Sequence, residues 1–134
     1  MKVLISKPKG IVTSEEFKVI ELFIEFLQSH LKLDNNIKLS LVDKRSGIMT
    51  TGVRNPNGEI LVLCHKRLLI DILRTISHEW VHEYQYQKLG ASKKKIIQDI
   101  GGPEENQANV ISGILIKKFQ KQYPEIEDII YSEN

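Results

Sequence analysis

Phe17, Ile20, Phe23, Ile24, Leu27 and Leu31 recur at steps of three and four, the spacing that lays apolar side chains along one face of a helix. Just ahead of them, Thr13-Ser14-Glu15-Glu16 has the pattern of a capping box: the threonine hydroxyl can serve the Glu16 amide while the glutamate reaches back. A helix is therefore expected from Thr13, ending near Leu33-Asp34-Asn35. The period then changes. Ile37, Leu39 and Leu41 alternate with Lys38, Ser40 and Val42, as in a half-buried strand, and Arg45-Ser46-Gly47 interrupts the run. A second strand is predicted over Ile48 to Arg54. Asn55-Pro56-Asn57-Gly58 is a turn signal, and the apolar stretch Ile60 to Cys64 behind it completes a hairpin. A small antiparallel sheet ahead of position 65 is the expectation.

From about Arg67 to Lys88 there is neither glycine nor proline, and Gly90 stands where a helix commonly stops. This is the predicted central helix. A connection over 91–102, with Ser92-Lys93-Lys94-Lys95 and a Gly101-Gly102 hinge, would permit a lid; Pro103 suits the first turn of another helix running to about Gln122. No repeat or linker-like tract interrupts the 134 residues. The fold class expected is α+β in one domain, 1–134: an N-terminal helix, a small antiparallel sheet and two further helices.

Composition changes this picture little. With 41% hydrophobic and 27% charged residues the chain can bury a core, which excludes a disordered reading. A net charge of +2 does not call for a nucleic-acid partner, and the lysine runs at 93–95 and 117–121 read as solvated faces. Cys64 is the sole cysteine, so no internal disulfide forms, and Lys7-Pro8-Lys9 cuts short any secretory apolar run; a cytoplasmic site is expected. No stretch approaches the length of a membrane span.

The chemistry concentrates on the central helix, at His78-Glu79-Trp80-Val81-His82. Residues four apart lie one turn apart on the same face, so both imidazoles can reach one metal ion, and neutral imidazole suits zinc. Glu79 can stand beside a water on that ion as general base. Two histidines and a glutamate also occur by chance on solvated helices, so a third ligand decides the matter. Glu105 follows His82 by twenty-three positions at the start of the next helix, from where a carboxylate can face the same ion. Glu104 competes for that role; only Glu105 has both Ala108 and Asn109 one turn further along its own face.

His78-Glu79-Trp80-Val81-His82 followed by Glu105-Asn106-Gln107-Ala108-Asn109 resembles the gluzincin pattern of H-E-x-x-H and then E-x-x-A, and the E-x-x-A-N form is similar to the ImmA/IrrE-like metallopeptidases. The resemblance implies a minimal zincin-like domain, zinc held by His78, His82 and Glu105, and hydrolysis of peptide bonds in a peptide or protein substrate.

Other residues have smaller expected parts. Asn109, one turn beyond Glu105, is the candidate for orienting His78 or His82 from outside the metal shell, with Gln85 a weaker one on the ligand face. Tyr86 could stabilise an oxyanion or simply pack at the domain edge. Trp80 and Tyr84 read as core, Cys64 as a small apolar residue, His65 as structural or solvated, and His30 as an exposed histidine at a helix end. An edge strand, from the Gly58 to Cys64 arm of the hairpin, would bind an extended substrate. The rival readings are a zinc-binding, non-proteolytic interaction module on the same fold and a metal-free helical interaction domain.

Overall fold

The computed structural model describes residues 2–45, 47, 49–88 and 103–132. The 91–102 connection, whose hinge would permit a lid, and the glycine at 90 expected to end the central helix lie outside them. The elements run β1 (Val3–Ser6), α1 (Ser14–His30), β2 (Ile37–Val42), β3 (Gly52–Arg54), β4 (Glu59–Leu63), α2 (Leu69–Lys88) and α3 (Pro103–Gln122), then a 3-10 turn at Pro124–Ile126 and α4 (Glu127–Ile130). The class is α+β. No helix among the described residues is long and apolar enough to cross a membrane.

The capping box forms as its residue types dictate: the Glu16 amide donates to Thr13 Oγ1 at 3.0 Å, and the Thr13 amide donates to Glu16 Oε1 at 2.8 Å. α1 nevertheless stops earlier than its pattern suggests. Beyond His30 the Gln28 side chain takes over, accepting from the Leu33 amide and donating to the Leu33 carbonyl, both at 3.0 Å, which folds Leu33 back into the core.

The expected antiparallel sheet is a mixed one of order β1-β2-β4-β3. β1, which four residues are too few to announce by periodicity, pairs parallel with β2 after the α1 crossover. β4 pairs parallel with β2 on one side and antiparallel with β3 on the other. The hairpin is therefore present, but its second arm inserts between β2 and β3 and is an interior strand. The arm from Gly58 to Cys64 cannot serve as an edge; the free edges belong to β1 and β3. The strand predicted over 48–54 is formed only from Gly52. Its turn relies on Gly58 at φ +84°, a conformation that favours glycine, with the Gly58 amide on the Asn55 carbonyl at 3.1 Å.

One face of the sheet sends Ile37, Leu39, Leu41, Ile60 and Val62 into a core completed by α1, α2 and α3. Phe119 of α3 meets Phe23 and Phe26 of α1 edge-on, with ring centroids 4.8 and 5.3 Å apart. Trp80 is buried, as expected, and its Nε1 donates to the Leu31 carbonyl at 2.9 Å, tying α2 to the end of α1. Tyr84 packs on the same core. α2 is thus held between β3 and β4 on one flank and α3 on the other.

Candidate metal centre

His78 and His82 stand one turn apart on α2, and α3 begins alongside them. Among the described residues, His78, His82 and Glu105 form a group whose ligand atoms all lie within 4.8 Å of one another and that could hold a metal ion. The two Nε2 atoms are 3.2 Å apart, with the imidazole planes nearly perpendicular at 84°. Glu105 Oε1 is 2.5 Å from His78 Nε2, and Oε2 is 3.1 Å from His82 Nε2. In a tetrahedral site with bonds of about 2.0–2.1 Å, neighbouring donor atoms stand about 3.3 Å apart. Two of the three separations match that edge, and the two nitrogens and one carboxylate suit a borderline cation. Glu105 is buried and joins the histidines in this group, whereas Glu104 is exposed.

The site is closed on one side and open on the other. His82 has no exposed surface, while the side chain of His78 retains 13%. On the closed side Gln85 bears the second interaction. Its Nε2 donates to the Glu104 carbonyl at 2.9 Å and to Gln107 Oε1 at 2.7 Å, two groups that only accept in this arrangement, so its Oε1 faces His82. His82 Nδ1, at 2.8 Å from that oxygen, is then placed to donate to it, and Nε2 is the ring nitrogen that faces Glu105 and His78. The weaker of the two outer-shell candidates thus holds His82, and Asn109 does not. Asn109 is exposed and lines the open cleft beside His78 and Glu79.

Glu79 is buried against β3. A Cβ placed on Gly52 would lie 2.4 Å from Thr75 Cγ2 and 3.3 Å from Glu79 Cγ, so only glycine lets the edge strand run this close to the helix at the level of Glu79. One turn along, Arg54 of β3 is completely buried; its Nε donates to Glu83 Oε1 at 2.8 Å and its guanidinium lies 3.9 Å over the Tyr86 ring. Tyr86 is engaged there as a packing face for a cation. Among the described residues, the buried Nη1 and Nη2 of Arg54 have no hydrogen-bond partner.

Gly52, Arg54 and Glu83 were not recognisable as site residues by motif. The one available signal was a glycine inside a strand pattern, which marks a close approach. Of the other singled-out residues, His65 and His30 are exposed, His30 stacking on Phe26. Cys64 is buried, and that burial pushes its thiol up to about 12. A wider hollow, about 660 Å3, lies between Gly10–Thr13 and Lys66–Leu68, away from the two histidines. Among the described residues it brings together no comparable donor set, so donor chemistry rather than volume locates the candidate site.

Comparison with known protein families, with curated proteins and with solved structures returns no match for this chain.

Proposed function

We propose that this chain is a zinc-dependent peptidase of the gluzincin type, with His78, His82 and Glu105 as metal ligands and Glu79 as general base. The observation that carries the reading is the convergence of His78 Nε2, His82 Nε2 and both Glu105 oxygens from two helices, with Glu79 beside them at an open cleft. Zinc suits this donor set and leaves room for a fourth ligand; when bound it supplies Lewis acidity, bringing the pKa of water toward neutrality and polarising a carbonyl.

The protein's own groups do the rest. His82 is held by Gln85 in the tautomer that offers Nε2. Glu79 takes the proton from the attacking water and returns it to the amine that leaves when the C–N bond breaks. β3, the edge strand beside Glu79, pairs with the backbone of an extended substrate. That role moves from the Gly58 to Cys64 arm to Gly52–Arg54, because the former is enclosed between two strands.

Elemental analysis and cleavage of a mixed peptide pool test the reading together. One zinc per chain and cleavage that disappears in Glu79→Gln, with zinc retained, are expected. Full activity of Glu79→Gln would remove that residue from the mechanism. Zinc without cleavage of any peptide would favour a non-proteolytic binding module, and a metal-free chain would sink the site altogether.

A further inference from the structure

The cleft at the open side of the centre measures about 210 Å3 and is bounded, beyond His78 and Glu79, by Thr51, Arg67, Asp71, Arg74 and Asn109. Two guanidinium groups on this wall differ in how they are held. Arg67 is fixed: it donates to the Leu63 carbonyl at 2.8 Å, the Asp71 carbonyl at 3.0 Å and Thr75 Oγ1 at 2.9 Å. Among the described residues Arg74 pairs only with Asp71, donating to Oδ1 at 3.2 Å, and the two side chains are 60% and 41% exposed. An ion pair so exposed contributes little, so exchanging Asp71 for another carboxylate costs little.

Arg74 also stands four residues before His78, hence one turn away on the same face, about 5–6 Å between Cβ atoms. Arg67 and Arg74 balance Asp71 and Glu79 in formal charge. A divalent cation held together with Glu105 leaves the cleft one unit positive. Thr51 and Asn109 add neutral hydrogen-bonding groups.

The geometry points to a carboxylate subsite: the cleft takes a carboxylate of the peptide substrate next to the scissile bond, and Arg74 is the specificity-determining residue that receives it. This rests on the zinc-peptidase reading above. On binding, Arg74 releases Asp71 and offers two N–H donors to the incoming carboxylate, the geometry in which guanidinium binds anions best. The shared chemistry is a carboxylate, from an Asp or Glu side chain or from a free C-terminus.

The test uses the zinc-loaded full chain and two metal-chelating probes of similar length, succinic monohydroxamate and the uncharged butyrohydroxamate, titrated calorimetrically. The anionic probe should bind on the order of tenfold more tightly, the effect of one partly exposed charge-assisted contact. Arg74→Gln should abolish that preference and Arg74→Lys should keep part of it. Equal affinities in the wild type, or a preference that survives Arg74→Gln, would overturn the subsite. Cleavage of peptides carrying Asp or Asn, each with a free or amidated C-terminus, then tells side chain from terminus as the source. A preference between probes without cleavage of any peptide upholds the subsite and refutes the hydrolysis. Failure to bind zinc refutes both.

Discussion

Gln85 offers the sharpest test of how the centre is built, because its three hydrogen bonds serve two separable purposes. Through Oε1 it accepts from His82 Nδ1 at 2.8 Å and so selects the tautomer that presents Nε2; through Nε2 it anchors the start of α3 at the Glu104 carbonyl and Gln107 Oε1. Gln85→Leu removes both. The buried Nδ1–H of His82 then lacks an acceptor, a cost of about 1–3 kcal/mol. Since about 1.4 kcal/mol is tenfold at 25 °C, zinc affinity should fall on the order of 10- to 100-fold, the range expected for loss of an outer-shell partner. Gln85→Glu divides the two roles: a carboxylate still accepts from His82 but cannot donate to Glu104 or Gln107. It should retain zinc affinity while loosening α3, seen as a lower thermal midpoint of the metal-free protein. Competition titrations with a chromogenic chelator read the first effect, and calorimetric melting the second. If Gln85→Leu binds zinc within about twofold of wild type, the tautomer argument is wrong. Asn109→Ala, on the exposed rim, should weaken zinc less than Gln85→Leu, and the opposite order would return the orienting role to Asn109.

Three further outcomes are expected. Glu105→Ala should release zinc and Glu104→Ala should not, as measured by metal content after gel filtration, because about a hundred degrees of helix separate adjacent residues and only Glu105 faces the histidines. Gly52→Ala should cost about 1–3 kcal/mol by overpacking against Thr75 Cγ2; Thr75→Ser, which deletes that methyl, should restore part of the loss, and a Gly52→Ala protein as stable to urea as wild type would refute the contact. Native Cys64 should resist a thiol-specific disulfide reagent at neutral pH and react at once when unfolded. Its thiol keeps its proton to about 12 when folded, against an ordinary value of 9.0, so the folded state binds more protons in that window and its stability falls as pH rises from about 9 toward 12. Cys64→Ala should remove that part of the alkaline decline.

What the amino-acid order determined by itself is local. The Thr13–Glu16 box, the turn at Asn55–Gly58, and the long helix carrying His78 and His82 each follow from interactions spanning only a few residues. So does the inward placement of Glu105 rather than Glu104, since a helical period decides which side of α3 a residue faces. The tertiary structure decided everything that depends on which segments meet. Periodicity shows that Ile60 to Cys64 is apolar, but not that it lies between β2 and β3; that order depends on the parallel closures of β1 and β4 on β2, made by way of α1 and of β3. Gln85 and Asn109 both lie one helical turn from a ligand, so sequence spacing alone cannot rank them. The Glu104 carbonyl and Gln107, brought in by α3, orient the Gln85 amide toward His82. The approach of β3 through Gly52, and the burial of Arg54 on Glu83 and Tyr86, arise from the packing of an edge strand against a helix, for which residue spacing along the chain carries no signal.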